Sequence, residues 1–225
     1  MTTAYPSALD TFTNPSAGDT LDSATVPHAA QHSNINDAVA AIENELGTLP
    51  KGNYSSVKAA LIANSPQIVT VGATPVSLLS ATSNQSIFAK SFTALAATTY
   101  NFEGLVYLAT GTTSHTVSFN FGGTATYTSA AFHAQFLNVA AAGTPTSPVS
   151  TFWTAPTGGV ISPASTVATK MFWLRGTVRI NGAGTVIPQL AFSVAPTGTN
   201  QTSTNSFFTM TPIGSNTFAS IGSWA

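Results

Sequence analysis

Tyr100-Asn101-Phe102-Glu103-Gly104-Leu105-Val106-Tyr107-Leu108 is the stretch on which the fold turns. Tyr100, Phe102, Val106 and Leu108 share one parity, and Asn101 and Glu103 take the other. The segment therefore reads as a strand with one buried face and one wet face, the pattern of an antiparallel sheet. The rhythm returns in His115, Val117, Phe119 and Phe121, in Phe172, Leu174, Val178 and Ile180, and in Val186, Leu190, Phe192 and Val194. Gly122-Gly123, Asn181-Gly182-Ala183-Gly184 and Pro196-Thr197-Gly198 punctuate these runs, and the second reads as a hairpin turn. Pro188 inside a strand pattern predicts an edge or a bulge. The stretch from Gly143 to Thr166 is rich in Pro, Thr, Ser and Gly yet holds Phe152 and Trp153, so it reads as a long loop with an anchored tip. Residues 67–225 are thus expected to form an antiparallel β-sandwich or jelly-roll-like domain in a mainly β chain.

The segment upstream has a different period. Pro27 to Leu46 reads as a helix: Pro27 suits the first turn, several alanines favour it, and Gly47 supplies the stop. Its apolar residues Ile35, Val39, Ile42, Leu46 and Leu49 follow at spacings of four, three, four and three. That is a coiled-coil-like seam. Two heptads alone are marginal in water, so the seam either folds onto its own domain or serves oligomerisation and docking. A second short helix is predicted from an N-cap at Ser55 or Ser56, ending at Asn64-Ser65-Pro66. Residues 27–66 are therefore expected to form a helical hairpin. Residues 1–26 are polar, broken by Pro6, Pro15 and Gly18, with isolated Leu9, Phe12 and Leu21. They read as an extended arm that would be ordered only by lying on another chain.

Charge divides the chain at the same place. Asp10, Asp19, Asp22, Asp37, Glu43 and Glu45 precede residue 50 with only Lys51 and Lys58 against them, a formal charge of −4 for the first 66 residues. The rest carries only Lys90, Glu103, Lys170, Arg175 and Arg179, a formal +3 with no aspartate. Charged residues make up 6% of the whole, against about 25% for an ordinary domain. Net charge −1 without a basic cluster argues against nucleic acid. There is no run of 18 apolar residues, so no membrane span is expected. The opening MTTAYPSALD lacks the character of a signal peptide, and with no cysteine neither disulfides nor thiolate metal sites are available.

This poverty of carboxylates argues against an enzyme. Glycoside hydrolysis needs two flanking acids, and Glu103 is alone after residue 66. A Ser-His-Asp arrangement would have to join His115 or His133 to an aspartate no later than Asp37. His28 and His32 lie four apart on the predicted helix but have no evident third ligand. No catalytic residue, cofactor or metal site is expected. Of Phe152, Trp153, Trp173 and Trp224, Trp153 is the favoured glycan contact, by stacking on a sugar ring.

Two groups of motifs resemble known families. Ile35-Asn36-Asp37-Ala38-Val39-Ala40-Ala41-Ile42-Glu43-Asn44-Glu45-Leu46-Gly47, followed by Pro50-Lys51-Gly52-Asn53-Tyr54-Ser55-Ser56-Val57-Lys58, resembles an N-terminal module of tailed-bacteriophage structural proteins. Thr98-Thr99-Tyr100-Asn101-Phe102-Glu103-Gly104, Phe121-Gly122-Gly123-Thr124-Ala125, Gly176-Thr177-Val178-Arg179-Ile180-Asn181 and Ile221-Gly222-Ser223-Trp224 look like a β-module of phage fibre and virion-surface proteins. The resemblance implies a virion component on head or tail, a head decoration or fibre or a tail fibre. It also implies a homo-oligomer, by preference a trimer, attached to other virion proteins through its N-terminal part. In such an oligomer Glu103, Lys170, Arg175 and Arg179 would either pair between subunits or face solvent. The alternative is a tail adhesin for a host-surface glycan, and a virion-associated depolymerase is the remotest reading.

Overall fold

The computed structural model describes residues 20, 28–47, 50, 56–139, 145–156 and 158–217. Leu9, Phe12 and Leu21 of the expected arm, Leu49 of the seam, Pro27 and Trp224 lie outside the described residues. The chain divides into two compact units, Met1–Ala63 and Asn64–Ala225.

The helices form where the alanine-rich sequence and its caps predict them. Helix α1 spans His28–Leu46 and α2 spans Val57–Asn64. Gly47, at φ 70°, closes α1 by donating its N–H to the Glu43 carbonyl at 2.8 Å, in a left-handed conformation glycine adopts without strain. Ser56 is the N-cap of α2, its Oγ accepting the Ala59 N–H at 3.1 Å.

The second unit is a two-layer antiparallel β-structure. In chain order its strands are β1 (Gln67–Thr70), β2 (Val76–Leu78), β3 (Gln85–Ser86), β4 (Phe92–Ala94), β5 (Thr98–Ala109), β6 (Val117–Gly122) and β7 (Thr126–Val139). They continue as β8 (Pro145–Trp153), β9 (Gly159–Val160), β10 (Thr169–Gly182), β11 (Gly184–Phe192), β12 (Asn200–Thr202) and β13 (Phe207–Ser215). The larger sheet runs β1-β13-β5-β10-β7-β8, with β12 joining β2 to β5. The smaller runs β3-β11-β6-β9, with β4 also on β11.

The period-2 reading of the sequence holds nearly residue for residue. Tyr100, Phe102, Val106, Leu108, Val117, Phe119, Phe121, Phe172, Leu174, Val178, Ile180, Val186, Leu190 and Phe192 are all in the core between the sheets. Val194, past the end of β11, is exposed. The missing member of the first run, Gly104, is a hole that another strand fills: a Cβ there would meet Phe208 Cδ2 at 2.5 Å. Gly176 has the same parity on β10 and is pressed against the Ala131 carbonyl and Phe132 of β7.

Three expectations are corrected by the topology. Asn181 to Gly184 is not a hairpin, because β10 belongs to the larger sheet and β11 to the smaller; the Gly-Ala-Gly corner carries the chain from one layer to the other. Gly122-Gly123, between β6 and β7, makes the same crossing in the opposite direction. The two corners are tied together: the Thr124 and Ala125 N–H groups both donate to the Thr185 carbonyl at 3.0 Å. Pro188 sits neither at an edge nor in a bulge. It pairs with Phe121 in the middle of β11, where the Phe121 N–H points the other way, to Pro156 O at 3.1 Å, so the proline nitrogen falls on the side where β4 ends and β3 begins. On that side the Pro188 carbonyl accepts the Ile87 N–H at 3.0 Å, and the donor that proline lacks falls in the gap between the two short strands. Much of the expected loop at 143–166 is strand β8, whose prolines are tolerated because it is an edge strand with an irregularity opposite Phe136 and Asn138.

The Gly104 contact yields a sharp expectation. Gly104→Ala forces the Phe208 ring out of its place and is expected to lower unfolding stability by about 1–3 kcal/mol. Gly72→Ala, whose Cβ meets nothing within 4 Å, is the control and should leave the urea midpoint nearly unchanged. Equal midpoints for the two variants would contradict the packing described.

Candidate functional site

Helix α1 leaves its seam open. Ile35, Val39, Ile42 and Leu46 are 53%, 48%, 43% and 51% exposed, and α2 adds exposed Leu61 and Ile62. What is covered on α1 is Asn34, buried, with Ala38 and Ala41 half-buried. A large aliphatic left about half in water forgoes roughly half of the 1.5–3 kcal/mol that full burial is worth. Glu43 and Glu45 flank this stripe and are exposed as well, so the surface is apolar with an acidic margin, while exposed Asp37 lies on the opposite side of the helix.

The second surface is the outer face of the larger sheet, where antiparallel pairing aligns side chains into rows across the strands. One row runs Thr209, Glu103, Arg175, His133, Phe152 across β13, β5, β10, β7 and β8. The next runs Thr211, Asn101, Thr177, Ala131. The long side chains of the first row and the short ones of the second leave an open trough of about 400 Å³, floored by backbone at Gly176. Phe152, at its β8 end, is 67% exposed, and Trp173, one row further along β10, is 44% exposed. The Trp173 indole N–H donates to Glu103 Oε1 at 3.1 Å, which orients that carboxylate. Arg175 is exposed and has neither an ion pair nor a hydrogen bond among the described residues.

The four charged side chains grouped by the sequence do not share one environment. Glu103, Arg175 and Arg179 lie on the outer face, Glu103 half-buried there, whereas Lys170 is fully buried. Lys170 is thus corrected from an inter-subunit charge to an interior one. Its parity is that of Phe172 and Leu174, and its Nζ donates to Thr110 Oγ1 at 2.8 Å and to the Val167 carbonyl at 2.5 Å. Burial lowers its pKa to about 8. His115 is buried nearby, with Nδ1–H on the Thr113 carbonyl at 2.6 Å, its ring edge-on to Phe192 at 5.1 Å, and Nε2 without a partner. Burial holds its pKa below the usual imidazole value, and the Lys170 charge adds to that effect.

Trp153 is likewise not the open aromatic that the sequence suggests. It packs against the core, and a Cβ on Gly159 would overlap its indole at 1.9 Å, so the ring is clamped on β9. Among the described residues Phe152 and Trp173 are the exposed rings instead. The signal was parity: once β8 pairs with β7, Trp153 faces the same way as Phe132, and Phe152 the same way as His133. Ser165, near His115, uses its Oγ on Asn138 Oδ1 and the Val167 N–H. Among the described residues no three His, Cys, Asp or Glu side chains gather to hold a metal ion, and no helix is long and apolar enough to cross a membrane.

No protein-family model matches the chain, and no curated protein matches it in sequence. Solved structures similar in part are that of infectious bursal disease virus Gx strain, at 11% identity over 64% of this chain with a TM-score of 0.15, and that of the VP2 subviral particle of the same virus, at 12% identity over 67% with a TM-score of 0.13. The alignments span 39% and 42% of those chains. Such values are too low to carry fold or function from one chain to the other.

The buried lysine makes stability depend on pH in a defined direction. A base whose folded pKa is depressed from 10.5 to about 8 stabilises fully above the unfolded value and loses that contribution as pH falls through the folded one. Unfolding free energy is therefore expected to rise by roughly 2 kcal/mol between about pH 8 and pH 10. Tyr127, raised to about 12 by burial, contributes stability that is lost above about pH 10, so the rise ends there. Urea titrations at several pH values should show the slope in the wild type and none in Lys170→Met; a slope that survives the substitution would place its origin elsewhere.

Proposed function

We propose that this chain is a non-enzymatic structural component of a virus particle, of the tailed-bacteriophage kind, held by its N-terminal region and displaying the β-domain at the particle surface. The observation that carries this reading is the uncovered seam Ile35, Val39, Ile42 and Leu46 on an acidic helix, in the unit that precedes a charge-poor β-domain. An aliphatic stripe of this kind is a contact surface awaiting a partner. Its 3.5-residue period suits a parallel or antiparallel pairing of helices, which makes self-association, with three copies preferred, the natural first use. The motif resemblance of residues 35–58 and 98–224 to phage virion modules supports the same assignment. A β-domain sparing in charge, with short corners tied by the hydrogen bonds of Thr124 and Thr185, suits a projecting part of such a particle. A head decoration or head fibre and a tail fibre are both consistent with this surface.

Two measurements test it. In the full chain, Val39→Asp with Ile42→Asp is expected to reduce the solution mass by light scattering to that of a monomer while the thermal transition of the β-domain stays in place. An unchanged mass would move assembly away from α1. Separately, antibody against the β-domain should decorate intact particles of the source virus in electron micrographs; purified particles that lack the chain by mass spectrometry would end the virion reading.

A further inference from the structure

We propose that the trough on the outer face of the larger sheet, between the Glu103–Arg175–His133–Phe152 row and the Asn101–Thr177–Ala131 row, is a binding site for a carboxylate-bearing saccharide. The site goes beyond the display role and stands whether or not the chain belongs to a particle. Three features specify the ligand.

The first is the lining. A trough of about 400 Å³ is concave but open, and its walls carry an amide, a carboxylate, a guanidinium, an imidazole and a hydroxyl, with one bare aromatic ring at the end. An apolar peptide would bury those polar groups without satisfying them. A sugar offers hydroxyls to the polar wall and a flat C–H face to Phe152. The second is the state of the two charges. Glu103 is already oriented by the Trp173 indole N–H at 3.1 Å, so it is held as an acceptor for ligand hydroxyls. Arg175, its cross-strand neighbour, makes no ion pair among the described residues, which leaves a forked cation facing the trough. A guanidinium recognises a carboxylate with two parallel hydrogen bonds. The third is economy: charges are 6% of this chain, yet three of the five after residue 66 project from this one face.

The probes are pairs that differ in charge with the sugar skeleton unchanged: sialyllactose beside its methyl ester, and trigalacturonate beside its methyl ester, each titrated against the full chain and followed by tryptophan fluorescence and by saturation-transfer NMR. The acidic member of at least one pair is expected to bind at least about tenfold tighter than its neutral counterpart, and to weaken as salt rises. Arg175→Gln should erase that difference, and Phe152→Ala should weaken acidic and neutral members alike; both side chains are exposed, so the urea midpoint serves as the folding control. Equal binding of acidic and neutral members, or no binding of any of the four at roughly 10 mM, overturns the proposal. So does an Arg175→Gln variant whose saccharide binding is intact but whose solution mass falls, since the trough would then be filled by a second copy. Failure of the virion reading would show as absence from particles and leaves these titrations unaffected.

Discussion

The sandwich is organised by the aromatic cluster around Phe102. That ring stacks on Phe208 at 5.5 Å, meets Phe121 edge-on at 5.0 Å, and lies 6.4 Å from Phe119 and 6.3 Å from Phe132. Phe102, Phe132 and Phe208 come from the larger sheet and Phe119 and Phe121 from the smaller, so one cluster joins the two layers. Aromatic pairs in such offset and edge-to-face arrangements add about 0.5–1.5 kcal/mol each beyond the area they bury. The cluster has room because Gly104 withholds a side chain and lets the Phe208 ring close over it, while Gly176 lets the β7 chain at Ala131 and Phe132 come close.

This interior leaves the surface free of structural duty. With the layers joined by aromatic packing and the corners tied by Thr124 and Thr185, the charges on the outer face can serve contacts. Lys170 is the exception. It is drawn inside by strand parity and satisfied by Thr110 and the Val167 carbonyl, at the cost of a depressed pKa. The two candidate contact surfaces differ in chemistry accordingly: the α1 seam is aliphatic with acidic margins and fits another helix, whereas the sheet trough is polar, with a guanidinium unpaired among the described residues, and fits a hydrophilic ligand.

Much of the fold was legible because strand parity is a local property. Alternation at Tyr100–Leu108 and Phe172–Ile180 named the buried residues, and in the first run it placed Asn101 and Glu103 outward. Read consistently, it would also have placed Lys170 inward, since the residue is two before Phe172. The helix limits were legible in Gly47 and Ser56, because caps satisfy backbone groups within a few residues of themselves. In sequence β8 reads as loop, which exchanges Trp153 and Phe152; two prolines conceal an edge strand that its pairing with β7 reveals.

Composition, periodicity and caps alone determined that this chain is a helical segment followed by an antiparallel β-domain poor in charge, because each of those signals lies within a few residues of sequence. Only the tertiary structure decided that the glycine corners cross between layers and do not close hairpins, and that Arg175 and Phe152 share one trough. A glycine turn reverses or redirects the chain in the same local geometry whichever sheet receives the next strand. The partner is chosen by the match of apolar faces far apart in sequence, such as β5 with β10 and β13, and that match is a property of the packed molecule.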